Sequence, residues 1–130
     1  MKQELENIKT ASGGLLFMSE SDYPFEVVEL DTKGASVEDA IRRVSDKDAG
    51  APIETQTLDY FYRNHVVTYP GEPESRAQTA QRFIQLKELL NTTLTNVQVY
   101  RIGSVQVDAF IIGQLPDGSY AGVRTKQVET

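Results

Sequence analysis

The sequence predicts an α+β fold, a three-layer α–β–α sandwich around a mainly antiparallel sheet if helices cover both sheet faces. Three observations carry this reading. Apolar residues recur at helical spacing through residues 74–94, and from residue 97 onward the pattern changes to that of strands. The strand-like segments are joined by short turns, which favours an antiparallel meander over parallel crossovers. The 130 residues, 39% of them hydrophobic, suit one domain spanning 1–130.

Each element has its own local reason. Leu5, Ile8 and Ala11 lie on one stripe of a short amphipathic helix over residues 4–11, and Ser12-Gly13-Gly14 supplies its stop. Leu15-Leu16-Phe17-Met18 is a compact apolar run expected to pack inside the domain. Residues 19–24 read as an exposed polar turn, with Pro24 holding Tyr23 extended. Phe25 to Leu30 is rich in β-favouring residues and reads as a strand. Ser36 is a helix cap with Asp39 three residues on, and that helix is expected to end before Ala49-Gly50-Ala51-Pro52. Residues 57–64 suggest a helical turn with Leu58, Phe61 and Tyr62 facing inward.

The strongest helix signal covers residues 74–94. Ala80, Phe83, Leu86, Leu90 and Leu94 form its apolar face, Arg76, Gln81, Lys87 and Glu88 its solvent face, and Pro73 suits its first turn. Val97–Ile102 and Val105–Ile112 read as strands reversed at Gly103-Ser104, the second apolar on both faces in its latter half, as a central strand would be. Pro116-Asp117-Gly118 makes the next turn, and Tyr120–Val128 the last strand.

Charge and composition exclude several classes of function. Thirteen Lys and Arg against nineteen Asp and Glu give a net charge of −6, a poor basis for binding a phosphate backbone or an anionic membrane. Residues 1–48 hold eleven acids and six bases, so the acidity is concentrated toward the N-terminal side. A negative face of that kind steers toward a basic partner. There is no cysteine, which removes disulfides, thiolate catalysis and Cys-based metal sites. With no long apolar run, a cytoplasmic protein is expected, in which the Asn91-Thr92-Thr93 sequon carries no sugar.

Catalytic signatures are missing. No phosphate-binding glycine loop, nucleophile elbow, HExxH or EF-hand pattern occurs, so no enzyme, no cofactor and no metal of its own are expected. His65 is the only histidine, and beside Val66-Val67 it reads as structural or merely exposed rather than as a general base. Glu26, Glu29 and Asp31 alternate with apolar residues as a strand's solvated face does. Glu20 and Asp22 differ, because Met18 and Tyr23-Pro24-Phe25 bracket their turn and suit it to hold charge in fixed geometry.

Two blocks carry a family resemblance. One is Gly14-Leu15-Leu16-Phe17-Met18-Ser19-Glu20-Ser21-Asp22-Tyr23-Pro24-Phe25-Glu26-Val27. The other is Val97-Gln98-Val99-Tyr100-Arg101-Ile102-Gly103, continued through Ile112-Gly113 and Ala121-Gly122 to Thr125-Lys126-Gln127-Val128-Glu129-Thr130. In these words, F-M-S-E-S among them, the chain resembles the nuclease A inhibitor family (NuiA-like proteins). The resemblance implies a PR-1-like α–β–α sandwich. It also implies a polypeptide inhibitor that binds 1:1 to a sugar-nonspecific DNA/RNA endonuclease of the ββα-metal type, whose basic cleft holds Mg²⁺ and a phosphate-binding arginine.

In such inhibitors a glutamate of the S-E-S turn pairs with that arginine, and the C-terminal threonine approaches the metal through water. Carried over, these positions are Glu20 and Thr130, with Asp22 adding charge. A carboxylate is a suitable phosphate surrogate for an arginine fork. The family's Asp-Trp pair before the long helix has no counterpart here. Thr68-Tyr69-Pro70-Gly71-Glu72 occupies that stretch, leaving Tyr69 and Glu72 as the candidate substitutes. The rival reading is a non-catalytic interaction module of the same fold with a different basic protein partner.

Overall fold

Within residues 3–17, 23–30, 36–45, 51–63, 65, 70–103 and 106–128, which the computed structural model describes, four helices and seven strands follow one another. The helices are α1 (Gln3–Ser12), α2 (Val37–Val44), α3 (Leu58–Phe61) and α4 (Glu74–Thr93). The strands are β1 (Leu16–Phe17), β2 (Tyr23–Pro24), β3 (Glu26–Leu30), β4 (Ile53–Gln56), β5 (Thr95–Ile102), β6 (Gln106–Gln114) and β7 (Tyr120–Val128).

Local chemistry accounts for the helix starts. Ser36 is extended and its side chain accepts from the Asp39 amide, satisfying one donor that the first turn leaves open. Thr57 caps α3 in the same way through the Tyr60 amide. Before α4 the cap position is Pro73 itself, with no side-chain bond, so the proline precedes the first turn instead of forming part of it. Its ring fixes φ at −58°, which aims the chain into the helix. Ala80, Phe83, Leu86 and Leu90 are buried along α4, and Leu94 just beyond it. Arg76 and Lys87 are only partly exposed: Arg76 pairs with Glu72 and Lys87 with Asp59 of α3.

β3, β7, β6, β5 and β4 form one antiparallel sheet in that order, and β1 and β2 pair as a separate small ribbon. β6 is the middle strand, and its residues 107–113 are all buried. The alternation along it divides the interior in two. Ala109 and Ile111 join a cluster with α1, α3 and α4, which includes Leu5, Ile8, Leu58, Phe83, Leu86 and Leu90. Phe110 and Ile112 join a second cluster with Leu30, Tyr100, Ile102 and the Ala40 and Ile41 pair of α2. A period of two thus places successive side chains of one strand in different clusters.

Polar contacts fasten the helices to the sheet. Asp108 is fully buried on β6, where its Oδ2 accepts from Ser45 Oγ at 2.7 Å and lies 4.0 Å from Arg124 Nη2. Arg124 also donates to the Val44 carbonyl, which ties the end of α2 to β7. Arg82 of α4 donates to the carbonyls of Ala11 and Gly13, occupying acceptors that the end of α1 leaves open.

One expectation needs correction, and one strand has no counterpart among the expected elements. Leu16 is 43% exposed, although it lies in the apolar run expected inside. The run enters a strand, so side chains alternate and Leu16 turns outward between the buried Leu15 and Phe17, while Met18 lies outside the described residues. β4 has no signal in the sequence, because Ile53-Glu54-Thr55-Gln56 lacks apolar alternation. Pairing with β5, from Ile53 with Ile102 to Gln56 with Val99, imposes its extended form. The helix at Ser36 ends at Val44, well before Ala51-Pro52. No helix among the described residues is long and apolar enough to cross a membrane.

Candidate functional site

Three chain segments that stand out in the sequence emerge from neighbouring parts of the described structure. The first is the acidic turn. β1 and β2 pair antiparallel, with Phe17 opposite Tyr23 and Leu16 opposite Pro24, so the ends of the turn are held together. The second is the stretch before α4, which begins after His65. The third is the end of β7, where Thr125 Oγ1 donates to the carbonyls of Pro24 at 2.9 Å and Tyr23 at 3.3 Å. The hydroxyl therefore ties the last strand to the base of the acidic turn, five residues before Thr130.

An aromatic block underlies the first two segments. The Phe17 ring stacks on Phe61, with centroids 4.4 Å apart and planes 6° apart, and on His65, also 4.4 Å away and tilted by 20°. Phe25 meets Phe17, Tyr62 and Phe83 edge to face. Offset and edge-on ring contacts of this kind add to the simple burial of area. His65 is 4% exposed and lies 4.8 Å from the Phe83 ring, so of the two sequence readings the structure selects the structural one.

Glu20, Asp22, Tyr69 and Thr130 lie outside the described residues, as does Asp31. Glu72 is described. Its carboxylate sits 3.7 Å from Arg76 Nε and is partly shielded, while Arg76 Nη1 also faces the His65 carbonyl at 3.5 Å. One guanidinium thus touches both ends of the stretch that contains Tyr69. Glu26 and Glu29 are exposed on β3, in keeping with a solvated strand face. Among the described residues no group of acidic or histidine side chains is gathered to hold a metal ion.

Nothing in the sequence marks the aromatic block as a unit. Phe17, Phe25, Phe61, His65 and Phe83 are scattered over five places in the chain; the phenylalanines show only apolar character locally, and His65 stands out only as the single histidine. Thr125 likewise reads from the sequence only as part of a strand.

Tyr62 at the centre of the block makes a distinct prediction. Its ring is fully buried, and among the described residues its hydroxyl has no hydrogen-bond partner. Burial pushes the phenol far above its ordinary value of 10.0. The unfolded chain therefore loses this proton first, and the stability contribution, complete below pH 10, declines as pH rises beyond it. Tyr62→Phe is expected to leave neutral-pH stability unchanged or raise it by up to about 1 kcal/mol, since it removes an unpaired buried polar group. It is also expected to move the alkaline unfolding midpoint upward. Thermal melts from neutral pH to well above the ordinary tyrosine range check both parts, and a variant that loses stability at neutral pH would refute the first.

Comparison with known families adds one finding. A family model described as nuclease A inhibitor-like protein matches residues 2–130. No curated protein matches the chain.

Proposed function

The chain belongs to the nuclease A inhibitor-like family, and from that membership we propose that it inhibits a sugar-nonspecific DNA/RNA endonuclease of the ββα-metal type in a 1:1 complex. In this reading Glu20 enters the basic cleft and pairs with the arginine that otherwise holds a substrate phosphate. The carboxylate of Thr130 approaches the partner's Mg²⁺ through water. Asp22 adds negative charge, and Tyr69 and Glu72 border the contact. The inhibitor supplies no catalytic group, cofactor or metal of its own.

The observation that carries the reading is the family match over residues 2–130. The packing supports it further. Phe17, His65 and Thr125 root the acidic turn, the stretch before α4 and the final strand in neighbouring parts of the structure. Rigid roots reduce the ordering cost that mobile anchors incur on binding. With the two apolar clusters that β6 divides, we also read the domain as a three-layer α–β–α sandwich. We further assign it to the cytoplasm, in keeping with a chain that has no cysteine.

The rival reading is an interaction module for a different basic protein. The absence of tryptophan favours it, because aromatic anchors dominate many interfaces. So does Glu72, whose charge faces Arg76 of the same chain.

Titrating DNA cleavage by a ββα-metal nonspecific endonuclease, at fixed and then excess Mg²⁺, separates the two readings. Stoichiometric inhibition that survives excess Mg²⁺ supports active-site plugging, since simple chelation would be relieved. Full activity at every inhibitor concentration rejects the proposal and leaves the interaction module.

A further inference from the structure

β3 is an edge of the five-stranded sheet. Among the described residues it pairs with β7 alone, and no backbone hydrogen bond reaches its outer side. Such an edge is a row of open donors and acceptors onto which another chain can add as a strand. β4, the opposite edge, has only four residues and follows Pro52, and both features blunt pairing. β3 contains no proline, and its register with β7 is unbroken.

A groove of about 560 Å³ lies beside this edge, between β3 and the end of α1. Lys9, Ser12 and Gly13 line one wall, and Phe25, Glu26, Val27 and Glu29 the other. Successive residues of a strand point to opposite faces, so lining by both Glu26 and Val27 places the groove at the edge itself. Val27 packs toward the cluster with α1, and Val28 toward the cluster with α2. Glu29 therefore shares the α1 side with Val27, while Glu26 lies on the α2 side. Both glutamates are exposed, and among the described residues neither carboxylate makes an ion pair or hydrogen bond. Lys9 on the far wall disfavours a cation in the middle of the groove.

We propose that β3 and this groove dock an extended basic segment of a partner protein, added antiparallel to the edge of the sheet. Read from its N-terminus, the segment carries a basic residue opposite Glu29 and any residue opposite Val28. An apolar residue then faces Val27, and a second basic residue faces Glu26. Main-chain pairing supplies the attachment, and the apolar side chain enters the groove beside Phe25. The two cations meet glutamates directly across the ladder, where opposite charges stabilise a strand pair. A second copy of this chain does not fit. Pairing residues 26–29 with themselves sets Glu26 of each copy opposite Glu29 of the other, and like charges in that position repel. The proposal stands whether or not a nuclease is inhibited.

The probe is a peptide capped at both ends, Thr-Val-Lys-Thr-Leu-Lys-Thr-Ser, compared with its counterpart bearing Glu for Lys. Two further versions of the lysine peptide are N-methylated at alternate residues, each blocking the donors on one edge of the strand. The native protein is expected to bind the lysine peptide saturably, and binding should slow amide exchange on β3 but not on β4. One methylated peptide should keep binding and the other lose about tenfold or more, because only one edge can face β3. The double variant Glu26→Lys, Glu29→Lys should bind the lysine peptide about tenfold or more weakly and prefer the glutamate peptide. If that variant melts early, Glu29→Gln should show a smaller loss in the same direction.

Several outcomes overturn the proposal. No binding at about 1 mM peptide leaves the edge without this ligand. Equal binding of both methylated peptides means that charge alone holds them. Unchanged peptide preference after charge reversal removes the glutamates from the contact. Protection of β3 that rises with protein concentration in the absence of peptide assigns the edge to a second copy instead.

Discussion

Glu20→Ala is expected to weaken nuclease inhibition by between about thirtyfold and several thousandfold, the equivalent of about 2–5 kcal/mol for removing one partner of a buried charge pair. Much of that loss arises because the partner's arginine stays desolvated with nothing to neutralise it. Thermal stability should barely change, since the turn reads from the sequence as exposed and polar, and surface substitutions seldom cost more than about 0.5 kcal/mol. Adding one residue after Thr130 tests the second proposed anchor, because it moves the terminal carboxylate while leaving the threonine side chain in the chain. If both changes leave the inhibition curve of the native protein intact, the two-anchor mechanism is wrong. Salt offers a further check: with rim and cleft charges steering the encounter, the association rate should fall as ionic strength rises, and the dissociation rate should change far less.

Gly122→Ala is expected to have the largest effect on stability. Gly122 sits on β7 between Val28 of β3 and Ile112 of β6. A Cβ built there would overlap the Ile111 carbonyl oxygen, lie 2.9 Å from the Ile111 carbonyl carbon and 3.2 Å from Ile112 Cα. These are backbone atoms in the centre of the sheet, so no rotamer change can relieve the clash. Overpacking typically costs about 1–3 kcal/mol and occasionally more, and a fixed backbone puts this site at or above the upper end. For a chain of this size that is a fall of roughly 10 °C or more in the melting midpoint. Gly13→Ala is the control: its Cβ would meet only the Thr10 and Lys9 carbonyls, at 3.4 and 3.5 Å, and it should melt within a few degrees of the native protein. Equal melting of the two variants would contradict the packing described for β6 and β7.

The two substitutions also divide the molecule by the kind of information each position carries. Glu20 stands out in the sequence itself, because a charge in a bracketed turn within a family-like block has a chemical reading on its own. Gly122 enters the sequence reading only as one letter of that resemblance. Its importance appears once β3 and β6 are found on either side of it, since close approach depends on neighbours from distant parts of the chain.

The same division runs through the fold. Elements governed by near neighbours are legible directly: the Ser36 cap, the apolar face of α4, and the turn at Pro116-Asp117-Gly118, where Gly118 has a φ of +90°. So are the long strands β5, β6 and β7, and the central position of β6, because burial on both faces leaves a continuous apolar run.

Other features rest on partners that the local sequence does not contain. β4 is a strand because β5 offers an edge to pair with, and Leu16 is exposed because its run forms a strand beside β2. Asp108 is tolerated in the interior because Ser45 and Arg124 reach it from α2 and β7. His65 is a structural residue because Phe17 and Phe83 close over it. Helical spacing, caps and turn chemistry act over a few residues, so the sequence alone determined the fold class, the main helix, the meander and the acidic turn as a candidate anchor. Strand order, the two-sided core and the aromatic stack depend on side chains that meet across tens of residues, and only the tertiary structure decided them.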